Sequence, residues 1–361
     1  MYTRPAPRSE HPYYMHDCIW DQPDAISRII DSQGPQTHEL AERITSAQRV
    51  HVVGIGTSWH AALVGEYLLR QVGGKENARA WNSADFCGYT PTLRERDVVI
   101  VLSHSGAKQS SAQALALAKE AGATTALITC QTSQSRLDLA DIVVHTTYRD
   151  RSSAFTVSHS GAMTALAMVA MELKGPNAPE RAALSRLPTA VARALELEGE
   201  VQAMVRAFSN ERSYSFAGWG PNASTAYEVA LKINEATYDV TSAYELEQYI
   251  HGPFVATGKG YLTTLVAPPG PGYQRAVTIA QAAKKTQAKV AALVQEGDTD
   301  MASVADLSVA LPAVPEFLTP IVYLVPLQLF TYWLAIERGR NPDVFRLDDP
   351  LRQAARSHYT L

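Results

Sequence analysis

The 361 residues are 46% hydrophobic and 19% charged with a formal net charge of -4, enough chain and apolar content for two ordinary domains with filled cores. That balance has no electrostatic footprint for DNA or RNA, so no nucleic-acid partner is expected. Cys18, Cys87 and Cys130 lie far apart and suggest neither a disulfide framework nor a zinc site; a reducing cytoplasm and no metal are the expectation.

In chain order, the stretch "MYTRPAPRSEHPYYMHDC" is Pro-rich and has no apolar segment of the kind a secretion signal needs. "HVVGIGTS" (His51 to Ser58) reads as a short strand ending in Gly-x-Gly and running into a helix. "DVVIVLSHSG", ending at Gly106, is a second strand with a glycine turn. The pattern then repeats: Gly218 in "SFAGWGPN" and Gly270 in "YLTTLVAPPG" each lie 164 positions beyond Gly54 and Gly106. The later pairs "ATTALITC"/"AKVAALVQ" and "ADIVVHTT"/"ADLSVALP" continue the match with a drift of one or two residues. Ala-rich helical stretches such as "SSAQALALAKEAG" lie between the strands.

Strands alternating with helices at this spacing predict an α/β fold: two tandem doubly wound domains, each a parallel sheet flanked by helices. The expected division is an N-terminal segment 1–28, a first domain 29–195, a second domain 196–340 and a tail 341–361. The apolar run Phe317 to Ile336 approaches membrane-spanning length, but Pro320, Pro326 and Gln328 make it a buried core helix rather than a membrane span.

Ligands of such sheets bind beyond the carboxyl ends of the strands. "GIGTSWH" has Trp59 where the dinucleotide fingerprint needs its third glycine, so no nicotinamide or other cofactor is expected. What remains is Gly56, Thr57 and Ser58 opening a helix, a place that favours an anion. "LSHSGAKQSS" supplies Ser103, Ser105, Gly106, Lys108, Ser110 and Ser111 directly after a strand, either a phosphate cradle or, for one or two of the hydroxyls, helix N-caps. The matching turn of the second half, "VAPPGPG", has prolines instead, so one phosphate site in the first half is expected. In the second half, Glu228, Lys232 and Glu235 fall on one face of a helix, which by itself reads as well as an exposed salt-bridged face. "YELEQYIHGP" (Tyr244 to Pro253) then offers His251 at a Gly-Pro turn. Its Tyr244, Glu245, Glu247 and Gln248 either shape specificity or form a solvated side of the loop.

The motifs "MHDCIWDQPDAI", "GTSWHA", "LSHSG", "EVALKINEATY", "HGP" and "TPIVYLVPLQLFTYWLA", in this order and over most of the chain, resemble the double-SIS (sugar isomerase) phosphosugar proteins. The likeness is in particular to the isomerase half of glucosamine-6-phosphate synthase. The resemblance implies that Thr57, Ser58, Ser103, His104 and Ser105 hold the sugar phosphate, with Lys108 in place of a threonine hydroxyl. It implies that Glu235 is the base that moves a proton between C1 and C2, with Glu228 and Lys232 as its neighbours. It also implies that His251 assists ring opening in the site of an adjacent subunit, hence a homodimer. Gly56, Ser158 and Arg356 are further candidate substrate contacts. Aldose-ketose interconversion through an enediol needs one carboxylate, one further proton-exchanging group and no metal, and histidine titrates in the range that suits the second task.

Two departures shape the expected activity. The sequence shows no glutaminase domain with its N-terminal cysteine, and Arg356 stands where the synthase tail has a Schiff-base lysine; a protonated guanidinium cannot form an imine. The leading expectation is an isomerase/deaminase acting on an amino-sugar 6-phosphate. The alternatives are a deglycase that splits a 6-phosphorylated fructosamine into glucose 6-phosphate and an amine, and a sugar-phosphate sensor without turnover.

Overall fold

The computed structural model describes residues 5–133 and 136–359. Two five-stranded sheets form, both wholly parallel. The first contains β1 (Arg49–Gly54), β2 (Ala78–Asn82), β3 (Asp97–Leu102), β4 (Thr124–Thr129) and β5 (Ile142–His145), in the order β2-β1-β3-β4-β5. The second contains β6 (Ser213–Gly218), β7 (Thr241–Glu245), β8 (Tyr261–Val266), β9 (Lys289–Gln295) and β10 (Leu307–Leu311), in the order β10-β9-β8-β6-β7. Strand for strand this is the same topology, so the repeat seen at 164 residues is a repeat of structure. β1 and β3 each start 164 residues before β6 and β8.

Each central strand is buried along its length, as parallel strands covered on both faces must be. Alternate residues serve different cores. Val50, Val52, Val98 and Ile100 join one contiguous apolar cluster that also takes in Tyr214, Phe216 and Leu262 of the second sheet. Val53, Val99 and Val101 pack instead on the outer face of the first sheet, and Ala217 and Leu265 on that of the second. The inner faces of both sheets therefore share a core, filled by helices Val157–Lys174 and Leu324–Glu337. The apolar run becomes helices Thr319–Val322 and Leu324–Glu337. It is apolar and long enough to cross a membrane, yet 94% of its most apolar window is buried inside the protein, as a core helix requires.

Toward the N-terminus the chain forms helices Tyr14–Trp20, Gln22–Ser32 and Gly34–Ser46. Pro23 and Pro35 stand in the first turns of the last two, where a missing N–H costs nothing. Asp343 of the C-terminal tail accepts hydrogen bonds from the Tyr14 and Met15 N–H groups at 2.8 and 2.9 Å. The two ends of the chain are thereby tied together.

Candidate active site

In both sheets the chain order reverses beside the first strand, between β1 and β3 and between β6 and β8. The loops after those strands diverge there and open a crevice. Gly54 and Gly56 build the first of these loops. A Cβ on Gly54 would lie 2.3 Å from the Ser58 carbonyl oxygen, so only glycine lets the helix Thr57–Tyr67 start so close to β1. Gly56 takes φ 57 and ψ -130, a conformation costly for other residues. Gly220 repeats it with φ 56 and ψ -126. The Gly-x-Gly pair is thus a strand-to-helix device shared by both halves.

The two copies differ in what fills the crevice. In the second half Trp219 packs on Gly272, where a Cβ would stand 2.3 Å from the indole Cγ. In the first half there is a cavity of about 1300 Å³, lined by the expected Gly56, Thr57, Ser58, Ser103, His104, Ser105, Lys108, Lys232, Glu235 and Arg356. Ser158 lines a separate pocket of about 20 Å³ that shares Thr57, Ser58, Ser103 and His104 with the larger one.

The serine loop after β3 does not cap its helix: no side chain caps Gln109–Glu120, which removes the N-cap reading. Ser105 Oγ accepts from the Ala107 N–H at 3.3 Å and so holds the turn. Ser110 is bound to Ser83 at 2.7 Å and is committed to structure rather than to the cradle. By contrast Ser103 Oγ, Ser111 Oγ, Ser158 Oγ and His104 Nδ1 are buried and have no hydrogen-bond partner within the protein. Buried polar atoms are rarely left so; Ser103 and His104 line both pockets, Ser158 the smaller and Ser111 the larger, and unpartnered donors of this kind suit a bound oxyanion. His104 is held by its other nitrogen, which accepts from the Asp150 N–H at 3.2 Å. Burial pushes the Lys108 ammonium below its ordinary range, helped by Arg356 and Arg149, while Glu235 opposes the shift.

The second half delivers its helix Pro221–Ala236 against the helix Thr57–Tyr67 of the first, and Ser224 Oγ donates to the His60 carbonyl at 2.6 Å. Glu228, Lys232 and Glu235 share a face as expected, but that face is inward: Glu228 and Lys232 side chains are 0% and 1% exposed, and Glu235 keeps 21% open to the cavity. The exposed-face alternative is excluded. Lys232 Nζ donates to Glu235 and stands 3.6 Å from Glu228. Glu228 itself does not line the cavity; it accepts from Thr57 Oγ1 at 3.1 Å and pairs with His60 Nδ1 at 2.7 Å.

Burial alone would raise the Glu228 carboxyl, but Lys232, His159 and the His60 hydrogen bond hold it down at about 2. Glu235 goes the other way: burial raises it, and Lys232 only partly offsets this. Burial works against the Lys232 charge, yet Glu235 and Glu228 together keep its ammonium above the ordinary range. The arrangement is a fixed cation between one firmly ionised carboxylate and one carboxylate with enhanced basicity.

His251 is not in this cavity. Its side chain is 70% exposed, and its ion-pair neighbour is Glu247 at 3.6 Å. Gly252, at φ 131 and ψ -64, turns the chain directly after it. The residues before it make local contacts. Glu245 caps the helix Leu246–Ile250 by accepting from the Glu247 and Gln248 N–H groups. Glu247 is held by Arg275 at 2.5 Å, Tyr244 stacks on Tyr249, and Gln248 is exposed. His60 and His159 lie at the site without having been expected there; their only sequence signal was the position of His60 in "GTSWHA".

The SIS domain family matches residues 43–172 and 207–338. The chain belongs to the SIS domain family. Each match contains one of the two sheets, so this SIS protein carries the domain twice. It is 29% identical over 343 residues to a glutamine-fructose-6-phosphate aminotransferase (isomerizing) of Pyrococcus horikoshii; the match covers 94% of this chain and 57% of that relative's length. Its fold is similar to that of the C-terminal domain of glucosamine-fructose-6-phosphate aminotransferase from Francisella tularensis, with TM-score 0.84, 21% identity, and 94% and 99% of the two chains covered. It is also similar to glucosamine-6-phosphate deaminase from Thermotoga maritima, with TM-score 0.77, 22% identity, and 92% and 97% covered.

Proposed function

We propose that this SIS protein is a phosphosugar isomerase whose substrate is an amino-sugar 6-phosphate, and that it isomerises it to a ketimine that water hydrolyses to a ketose phosphate and ammonia. The observation that carries this reading is Glu235, a carboxylate of raised basicity facing the same cavity as a set of unpartnered hydroxyl donors. The phosphate would bind Thr57, Ser58, Ser103, His104, Ser105 and Lys108. Glu235 would then take the proton from the carbon next to the carbonyl and return it to the neighbouring carbon. Lys232 would set the basicity of Glu235 through the ion pair between them. The activities named for the aminotransferase relative and the deaminase neighbour support the substrate class. We further propose that the protein is a cytoplasmic homodimer in which His251 opens the sugar ring in the partner subunit's site, which accords with its exposure here.

A second reading is favoured by the size of the cavity and by Lys108 and Arg356 in its lining. A 6-phosphorylated fructosamine of an amino acid would bring a carboxylate to those cations, and the protein would then act as a deglycase. Incubation with glucosamine 6-phosphate and with the 6-phosphate of fructose-asparagine separates the two. Ammonia with fructose 6-phosphate supports the deaminase, and glucose 6-phosphate with free amino acid the deglycase. Tight binding of either without turnover contradicts both and leaves a sensor.

A further inference from the structure

Thr57 has one hydroxyl proton and gives it to the Glu228 carboxylate at 3.1 Å. Thr57 also lines the cavity among the unpartnered hydroxyls. A phosphate dianion and an ionised carboxylate are both acceptors, so one Thr57 proton cannot serve both. An anion that takes the Thr57 hydroxyl therefore leaves Glu228 Oε1 one donor short.

The surroundings of Glu228 decide what replaces that donor. His60 holds Glu228 Oε2 at 2.7 Å, which stops the carboxylate from turning away. His159 also acts on Glu228 electrostatically, but its Nδ1 makes no hydrogen bond. The remaining cation is Lys232, 3.6 Å from Oε1 and bonded to Glu235. Movement of Lys232 toward Glu228 loosens its hold on Glu235. The other charged groups acting on Lys232 and Glu235 are Asp150, Lys108 and His60; the cradle is linked to the base by the Thr57–Glu228 hydrogen bond, the Glu228–Lys232 ion pair at 3.6 Å and the Lys232–Glu235 hydrogen bond.

We propose that Glu228 couples the two ends of the site: occupancy of the phosphate cradle draws the Thr57 proton off Glu228, Lys232 shifts to Glu228, and Glu235 is released as a stronger base. His60 is a positioning residue in this coupling. The inference rests on the assignment of Glu235 as the proton-transfer base and adds that the phosphoryl group activates that base, beyond anchoring the sugar. Binding energy from a non-reacting part of the substrate is thereby spent at the reacting carbon.

The test uses a substrate cut into two pieces. The intact protein is given unphosphorylated fructose or glucosamine in D2O, with and without saturating phosphite dianion, and deuterium uptake at C1 and C2 is followed. Phosphite is expected to accelerate uptake by about tenfold or more. Thr57→Val is expected to bind phosphite through the remaining donors and show no acceleration, while Thr57→Ser restores it. Glu228→Gln, the second probe, is expected to lose the acceleration and to make the pH profile of exchange insensitive to phosphite. Bound phosphite without acceleration in the native protein, or equal acceleration in Thr57→Val, overturns the coupling. If the 6-phosphorylated sugars themselves exchange no deuterium, the assignment of Glu235 falls first; if they exchange while phosphite does nothing, the coupling alone falls.

Discussion

Glu228 and Glu235 stand seven residues apart on one helix and end with opposite proton affinities, because one is ringed by His60, Thr57 and Lys232 while the other has Lys232 and a cavity. The spacing of Glu228, Lys232 and Glu235 was legible in the sequence as a shared face, but not the direction in which that face points. Nor was the bond from Glu228 to His60, whose positions lie 168 apart. Glu245 and Glu247 could be read from the sequence either as specificity residues or as a solvated side of the loop; Glu245 caps its own helix and Glu247 pairs with Arg275. A stability prediction belongs here. The Glu228 carboxyl is held below its ordinary 4.5, at about 2, so its stabilisation is fully present above pH 4.5 and is lost as pH falls through that lower value. Glu228→Gln is expected to cost about 3 kcal/mol at pH 7, since Lys232 loses one of its two counter-charges. In urea unfolding the gap between native protein and variant should narrow from pH 7 to pH 3. An equal gap at both pH values would show that Glu228 contributes no ionisation-linked stability.

At the scale of elements, the central strands were readable because apolar runs such as "DVVIVL" are bounded by polar residues and glycines, and buried parallel strands need that pattern. The helices Gln22–Ser32 and Gly34–Ser46 were less so: each Pro signals a break until its place in the first turn is known. The two glycines of the first loop make separable predictions. Gly54→Ala places a Cβ 2.3 Å from a carbonyl oxygen of the next helix and should cost roughly 3 kcal/mol or more, with loss of folded protein. Gly56→Ala meets open space but keeps an unfavourable positive φ, so roughly 1–2 kcal/mol is expected. Thermal unfolding of both variants checks the order; a Gly56 variant that is the less stable of the two would refute the packing account of Gly54.

Over the whole molecule, the duplication was visible as a constant offset, yet the division of labour between the copies was only half visible. Prolines in the "VAPPGPG" turn announced that the second crevice had lost its hydroxyls, while the packing of Trp219 on Gly272 that fills it involves residues 53 positions apart. The second copy instead supplies Lys232 and Glu235 to the cavity of the first. His251 is exposed and lies outside that cavity; the proposed homodimer would bring it to the partner subunit's site. Subunits carrying Glu235→Gln and subunits carrying His251→Ala, each inactive alone, should regain activity on mixing, up to about a quarter of the native sites in a random dimer pairing having both intact groups. Mixed subunits that stay inactive, although exchange between dimers is demonstrated by differential labelling, would place both groups in one chain's chemistry or remove His251 from it.

In the proposed chemistry Glu235 carries a proton between adjacent carbons of a sugar held by its phosphate. The direct measurement is solvent deuterium uptake at C1 and C2 of glucosamine 6-phosphate and fructose 6-phosphate, followed by NMR, for the native protein and Glu235→Gln. Phosphate-dependent binding of both sugars is measured alongside. The native protein should incorporate deuterium, and Glu235→Gln should slow this by about 10²–10⁴-fold with binding nearly unchanged. Uptake by Glu235→Gln at the native rate would contradict the central claim.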